Sequence, residues 1–96
     1  MTEKQIESYL RDEVKKAGGI AYKFVSPGNA GVPDRLVVMP GGKILFVELK
    51  APTGKPTTLQ ELQMHRLAAL GAEVFIIRGK EQIDELIELM KGGDGK

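Results

Sequence analysis

The chain has 96 residues, of which 42% are hydrophobic and 28% charged, with a formal net charge of +1 and no cysteine. These values fit one globular domain and exclude a disordered or fibrous chain. Without cysteine the chain can have no disulfide, zinc-thiolate site or thiol nucleophile, so a bound metal would need oxygen ligands or His65.

The N-terminal segment MTEKQIESYLRDE has the pattern of an amphipathic helix rather than that of a signal peptide. Thr2 and Gln5 form a capping-box pair, and the predicted helix runs over roughly 3–17, until two glycines end it. Its apolar stripe consists of Ile6, Leu10 and Val14. Since no run in the chain reaches the ~18 apolar residues that cross a bilayer, we expect a cytoplasmic protein without a membrane partner.

Three strands are predicted next. The segment IAYKFV, residues 20–25, is rich in strand-forming residues and precedes a loop of glycine and proline. The segments DRLVVM (34–39) and KILFVELK (43–50) are typical of strands. Pro40-Gly41-Gly42 lies between them, which predicts a hairpin.

The last part of the chain predicts two helices around a short strand. A capping-box pattern begins at Thr57 or Thr58, and the helix that it opens is expected to run to Gly71. The wholly apolar VFII, residues 74–77, predicts a strand buried on both faces. A final helix is predicted over 81–91, and residues 92–96 are expected to form a flexible tail. The predicted fold is a single α/β domain over 1–91, of order αβββαβα, with a mixed sheet flanked by helices.

Charged residues stand where these elements should be apolar. Because side chains alternate along a strand, Glu48 and Lys50 share a face with apolar residues of the third strand. Asp34 does the same on the second strand, and Glu7 borders the apolar stripe of the first helix. Three acids and a lysine therefore lie at the borders of apolar faces.

Each of these charges alone has an ordinary structural explanation, as a turn residue, a strand end or a helix border. The combination is harder to explain in this way, because a buried carboxylate is costly unless a cation neutralises it. Two carboxylates and a lysine suit Mg²⁺ or Mn²⁺, and the ammonium group can orient or deprotonate a water molecule. The chemistry indicated is phosphodiester hydrolysis.

Two other motifs give no support to different chemistry. The segment TGKPTT lacks the first glycine of a phosphate-binding P-loop, because Leu49 occupies that position. Pro56 follows the lysine where serine or threonine is required, so we expect no nucleotide cofactor. His65 matches no motif that would pair it with a serine nucleophile, which leaves acyl transfer unsupported.

The spacing of the charged residues resembles that of a known nuclease superfamily. Pro33-Asp34, followed after thirteen residues by Glu48-Leu49-Lys50, is similar to the PD-(D/E)XK signature. The segments GVPDRLVV and FVELKAP, and Gln63, Leu67 and Gly71 at four-residue steps, resemble the VRR-NUC (virus-type replication-repair nuclease) domain in its small stand-alone form from phages and bacteria. The resemblance implies a restriction-endonuclease-like αβββαβ core with an added C-terminal helix.

The resemblance also implies a role for each matching residue. Asp34 and Glu48 would bind Mg²⁺ or Mn²⁺ together with the backbone carbonyl of Leu49. Lys50 would position or deprotonate the attacking water.

Residues further from the carboxylates have implied roles as well. Glu7 would be the acid of the first helix near the metal, and a possible ligand. Gln63 would project into the site from the second helix, although this chain has Leu67 where some relatives have tyrosine. Ser26 and Lys23 would lie near the scissile phosphate. Further DNA contacts are expected from basic residues near the loops, at Arg35, Lys55, Arg66 and Lys80.

The implied function is a Mg²⁺- or Mn²⁺-dependent, structure-specific DNA endonuclease. The preferred substrate would be branched DNA such as a four-way (Holliday) junction, cut by a homodimer in a bacterial or phage-infected cell during DNA repair. Two alternatives remain open. One is a flap or non-specific nuclease, and the other is a catalytically silent DNA-binding or protein-docking module on the same fold.

Hairpin register decides whether the two carboxylates can share an ion. A four-residue loop would pair Met39 with Ile44 and turn Asp34 and Glu48 to opposite faces of the sheet. We predict instead that Val38 pairs with Ile44, through a five-residue connection or a bulge at the glycines. Asp34 then lies opposite or diagonal to Glu48.

Overall fold

The computed structural model describes residues 1–94, and its elements follow one another in the predicted order αβββαβα. Their bounds are α1 Glu3–Lys16, β1 Ile20–Lys23, β2 Arg35–Met39, β3 Lys43–Leu49, α2 Thr58–Ala69, β4 Val74–Ile77 and α3 Lys80–Asp94. Strand β1 ends earlier than predicted, and β2 begins one residue after Asp34. Helix α3 continues beyond its predicted end at 91, and the remainder of the predicted tail, 95–96, lies outside the described residues.

Both predicted capping boxes are present. The Thr2 hydroxyl accepts a hydrogen bond from the Gln5 amide at 3.1 Å, and the Gln5 side chain accepts one from the Thr2 amide at 2.8 Å. Thr57 and Gln60 repeat this arrangement at the start of α2. Each box satisfies two backbone donors that a helix start would otherwise leave unpaired, which fixes where the two helices begin.

The sheet has the order β1-β2-β3-β4, in which the first three strands are antiparallel and β4 is parallel to β3. One face carries the odd-numbered residues of β2 and β3, and it packs against α1 and α3 to form the core. The buried core residues are Ile6, Leu10, Val14, Val37, Met39, Leu45, Val47, Leu49, Ile77, Ile83, Leu86, Ile87 and Met90. The prediction of a mixed sheet flanked by helices is confirmed.

The second face of the sheet is covered only in part. Helix α2 contacts β4, and Met64 is its buried residue. Across β1, β2 and β3 the second face presents two apolar rows, which are Ile20, Val38 and Ile44 followed by Tyr22, Leu36 and Phe46. Ile20, Tyr22 and Ile44 are each more than half exposed.

Strand β4 corrects one prediction. VFII is not fully buried on its two faces, because Val74, Phe75 and Ile76 are half-buried and only Ile77 is buried; β4 also lies at an edge of the sheet. Its apolar side chains face α3 on one side and α2 on the other, but among residues 1–94 no strand pairs with its outer edge. Within the same residues, no helix has the length and apolarity that crossing a membrane requires.

Candidate active site

The register of the β2–β3 hairpin agrees with the prediction. Val38 pairs with Ile44, and Leu36 pairs with Phe46. Met39 and Lys43 also pair, so the connection is the three-residue turn 40–42 rather than the five-residue loop that was predicted. Continuing this register beyond β2 places Asp34 opposite Glu48, on the same face of the sheet.

Asp34 is held by hydrogen bonds to both neighbouring strands. Its Oδ2 accepts a hydrogen bond from the Leu49 amide at 3.0 Å. Its backbone carbonyl accepts one from the Phe24 amide at 2.8 Å. The position of this carboxylate is therefore fixed by the backbone of the sheet, although Asp34 itself precedes β2.

Glu48 and Lys50 form a buried ion pair beside Asp34. The Glu48 side chain is 1% exposed and that of Lys50 is 14% exposed, and Lys50 Nζ lies 3.4 Å from Glu48 Oε2. The other carboxylate oxygen, Oε1, is buried and has no hydrogen-bond partner among residues 1–94. Burying a carboxylate oxygen without a partner costs folding free energy, and a bound cation would offset that cost.

The surroundings of Glu48 favour its neutral form when no cation is bound. Burial raises the pKa of Glu48, the negative charge of Asp34 raises it further, and Lys50 only partly opposes these effects, so the pKa is about 7. Glu3, in the first turn of α1, adds a smaller repulsion. Sequence reasoning missed Glu3, although it lies one helical turn before Glu7 on the same side of the helix.

Glu7 and Arg35 form an ion pair, which corrects the prediction that Arg35 contacts DNA. Arg35 Nε and Nη2 donate hydrogen bonds to Glu7 Oε2 at 2.9 and 2.6 Å, and Arg35 Nη1 donates one to the Ala21 carbonyl at 3.1 Å. Arg35 is only 8% exposed. Arg35 is an odd-numbered residue of β2, and the odd-numbered side chains of this strand point to the α1 side of the sheet. Its side chain therefore points away from that of Asp34. The structure therefore gives Glu7 an ion pair with Arg35, and it does not present Arg35 to DNA.

The predicted residues on the loop and on α2 make hydrogen bonds to the loop that precedes Asp34. Gln63 Nε2 donates a hydrogen bond to the Ala30 carbonyl at 3.2 Å, so its side chain is engaged with the loop before Asp34. The Ser26 hydroxyl accepts a hydrogen bond from Asn29 Nδ2 at 3.0 Å within the same loop. Both residues are half-buried.

The remaining predicted DNA contacts are exposed lysines and arginines. Lys23, Lys55 and Arg66 are all exposed. Lys80 lies on α3, where its Nζ is 5.6 Å from the centre of the Tyr9 ring. The structure leaves the first three free to meet a ligand and gives Lys80 an intramolecular partner.

The donor set fits a hard divalent cation. Asp34 and Glu48 offer carboxylate oxygens on one face, and Oε1 of Glu48 lacks a partner among the described residues. Mg²⁺ and Mn²⁺ favour such ligands and are commonly held by one or two carboxylates plus water. Within residues 1–94, no cluster of three or more acidic or histidine side chains is arranged to hold a metal, so Glu7 does not complete such a cluster.

Comparison with known proteins assigns this arrangement to a family. No protein-family model matches the chain. Over 79 residues the chain is 57% identical to "Putative nuclease p44" of Acyrthosiphon pisum secondary endosymbiont phage 1, an alignment that covers 82% of this chain and 85% of that protein. The fold matches a solved structure described as "VRR_NUC domain" with a TM-score of 0.84 and 34% identity, over 92% of this chain and 97% of that one. The chain belongs to the VRR-NUC family.

Membership of the VRR-NUC family confirms the resemblance drawn from the GVPD and FVELKAP segments. It also confirms the predicted α/β architecture, since the solved VRR-NUC domain covers nearly the whole chain at a high TM-score. The acids and the lysine of the family signature lie together in this chain at the ends of β2 and β3.

Proposed function

We propose that this protein is a metal-dependent DNA endonuclease that hydrolyses phosphodiester bonds. The observation that carries the proposal is the buried Glu48 carboxylate, which has one oxygen paired with Lys50 and the other unpaired among residues 1–94, opposite Asp34. Such an arrangement costs stability unless it serves a bound cation. Membership of the VRR-NUC family and the nuclease name of the phage relative support the same function.

The residues of the site have distinct roles in this proposal. Asp34, Glu48 and the carbonyl of Leu49 would hold Mg²⁺ or Mn²⁺, which when bound polarises a phosphoryl oxygen and acidifies water. Lys50 would orient the attacking water, because its ammonium group is held at the carboxylate pair by Glu48. Burial of the pair excludes bulk water and strengthens these electrostatic interactions.

Cleavage assays of two variants test this proposal. Lys50→Ala should abolish nicking of supercoiled plasmid in Mn²⁺ while Mn²⁺ affinity by calorimetry stays close to that of the parent. Asp34→Ala should weaken Mn²⁺ binding itself, because it removes a ligand. Lys43→Ala is a matched control at the other end of β3 and should cut normally. If the parent does not cut, or if the Lys50 and Asp34 variants cut as well as the parent, the proposed site is wrong.

We further propose that the enzyme acts on branched DNA as a homodimer. The exposed apolar rows on the second face of the sheet support the dimer, because Ile20 is 52%, Tyr22 55% and Ile44 56% exposed. These rows contain no charged side chain. They are therefore poorly suited to the phosphates of DNA and better suited to a second apolar surface. A two-fold dimer would supply the two sites that a four-way junction requires.

A panel of substrates tests the preference for branched DNA. The parent would be incubated with a four-way junction, a 5′ flap, a 3′ flap and plain duplex of matched sequence, in Mn²⁺ and at one salt concentration. We expect the junction to be cut fastest, with paired nicks on opposing strands. Equal rates on junction and duplex would instead indicate a non-specific nuclease, and preference for a flap would indicate a flap nuclease.

A further inference from the structure

The loop that leads to Asp34 touches the first turn of α2 through a glycine. Gly31 has a φ of +91°, and a Cβ atom built on it would lie 2.9 Å from the Leu59 carbonyl oxygen and 3.0 Å from the Leu59 carbonyl carbon and Cγ. Real Cβ atoms do not approach backbone atoms this closely. The loop and the helix are therefore in backbone contact at a position that only glycine can occupy without displacement.

A second contact lies one helical turn further along α2. Gln63 follows Leu59 by four residues and so lies on the same side of the helix. Its Nε2 donates a hydrogen bond to the carbonyl of Ala30, the residue next to Gly31, at 3.2 Å. Two successive turns of α2 are thus joined to two successive residues of the loop.

Helix α2 has few other anchors. Within residues 1–94, Met64 is its one fully buried residue, and its principal sheet contact is the edge strand β4. The first part of the loop also has little support of its own, since Val25 is 67% exposed and residues 27–30 are all exposed, whereas Pro33 at its end is buried. The contacts through Gly31 and Gln63 are therefore a substantial part of what joins the exposed part of the loop to α2.

We propose that Gly31 and Gln63 are positioning residues that hold the 25–33 loop and α2 together as one wall beside Asp34 and Glu48, and that this wall places the DNA strand. The inference rests on the proposed nuclease function and goes beyond it. Asp34 is separately anchored by the amides of Phe24 and Leu49. Loss of the wall should therefore disturb DNA placement while metal binding is preserved.

Three variants separate this role from a general loss of stability. Gly31→Ala adds both backbone strain and the collision with Leu59. Gly28→Ala is the matched control, because Gly28 lies in the same loop at a φ of +82° but a Cβ there would meet no atom within 4 Å. Gln63→Met removes the hydrogen bond to Ala30 while keeping the length of the side chain.

The measurements are junction affinity, Mn²⁺ affinity and loop protection. Junction binding would be followed by fluorescence anisotropy in a Lys50→Ala background, Mn²⁺ binding by calorimetry, and amide hydrogen exchange in the loop by mass spectrometry. We expect Gly31→Ala and Gln63→Met to lose about tenfold or more in junction affinity, with Mn²⁺ affinity within about twofold of the parent. Gly28→Ala should bind the junction nearly as well as the parent.

The possible results decide between the alternatives. Equal junction affinity of the Gly31 and Gly28 variants would overturn the proposal, and so would a loss of Mn²⁺ affinity as large as that of Asp34→Ala. If the parent neither binds nor cuts DNA, the proposed function fails. Hydrogen exchange still tests the contact in that case, because exchange in the loop should rise in Gly31→Ala and Gln63→Met above that in Gly28→Ala. Should Gly31→Ala not fold, Gln63→Met carries the same comparison.

Discussion

At the scale of single residues, Glu48 shows how a site can oppose the stability of its own fold. Its carboxylate is buried between the negative charge of Asp34 and the ammonium group of Lys50, and the repulsion and burial together exceed the attraction. A folded protein with such a group holds a proton more tightly than the unfolded chain does. Stability and metal binding should therefore depend on pH in opposite directions.

The metal-free protein should lose stability as pH rises from about 4.5 to about 7, the interval over which the pKa of Glu48 is raised. Below this interval Glu48 is protonated in both states and costs nothing, whereas above it the folded state must carry an unfavourable buried charge. Relative to Glu48→Gln, the parent should lose about 3 kcal/mol of unfolding free energy across this range. Urea unfolding in chelator at pH 4 and pH 8 measures the change, and a parallel pH dependence in the two proteins would contradict it.

Mn²⁺ binding should strengthen over the same pH interval. The cation must displace the proton that Glu48 holds when its pKa is about 7, so binding near neutral pH should release a proton. Calorimetry in two buffers with different ionisation enthalpies would detect this release. Binding without proton release at pH 6 would show that Glu48 is not a ligand, and Asp34→Ala should reduce both the affinity and the release.

Arg35 should act on stability and not on DNA binding. Arg35→Met removes its hydrogen bonds to Glu7 and should cost about 2 kcal/mol of unfolding free energy. Its cross-strand neighbour Lys23 is exposed, so Lys23→Met should leave stability within about 0.5 kcal/mol of the parent. If Lys23 contacts a DNA phosphate, the slope of log affinity against log salt concentration should decrease in magnitude by about one in Lys23→Met. An equal fall for Arg35→Met would contradict its buried role.

The period of the strands accounts for which residue roles could be predicted from sequence. Alternation alone put Asp34, Glu48 and Lys50 on apolar faces. Parity, together with the requirement that Asp34 and Glu48 share an ion, predicted the hairpin register that the structure has. The same parity would have placed Arg35 on the opposite face, so that error was avoidable. The partner of Glu7 could not be predicted, because nothing local indicates which strand residue a helix residue will meet.

At the scale of elements, α2 is a helix fixed mainly by its ends and by the loop. Its sequence is apolar on more than one side, with Leu59 and Leu62 each 45% exposed, and its C-cap residue Leu70 is 86% exposed. Its capping box was predictable because the pattern is local. Its contact with the loop before Asp34 was not, since that contact requires the approach of Gly31, distant in sequence.

Removal of the α2 cap should have a measurable effect. Thr57→Ala removes the hydroxyl that accepts from the Gln60 amide at 3.1 Å, and it should cost about 1 kcal/mol of stability. Thr58→Ala is the matched control, because Thr58 is exposed inside the first turn and should change stability by less than about 0.5 kcal/mol. Thermal unfolding followed by circular dichroism distinguishes the two. Equal melting temperatures would show that the cap contributes little.

At the scale of the whole molecule, the two faces of the sheet differ in how far helices cover them. One is enclosed by α1 and α3, whereas the other leaves apolar rows in contact with solvent. The location of the exposed apolar rows could not be predicted from the sequence, because an alternating strand pattern does not say which face a helix will cover. The error over VFII has the same origin, since an apolar run is compatible with a central or an edge strand.

Ile44→Lys should convert a dimer to a monomer. Ile44 is 56% exposed on β3, at one end of the row that it forms with Ile20 and Val38, so lysine there would oppose pairing with a second copy while leaving the fold intact. Leu89→Lys is the matched control, because Leu89 is 62% exposed on α3, on the other side of the sheet. Sedimentation equilibrium at micromolar concentration measures the mass. A monomeric parent, or a dimeric Ile44→Lys variant, would contradict the proposed dimer surface.

The edge strand β4 has a consequence for handling and evolution of the protein. An apolar edge such as VFII can pair with like strands of other molecules and seed insoluble aggregates. A charged residue flanks each end of β4, Glu73 before the strand and Arg78 after it, and such charges oppose aggregation. Arg78 is further tied by its Nε to the Gly54 carbonyl at 3.0 Å. Substitutions that remove either charge should lower the soluble yield even where they leave the catalytic residues untouched, so these two positions are constrained by solubility.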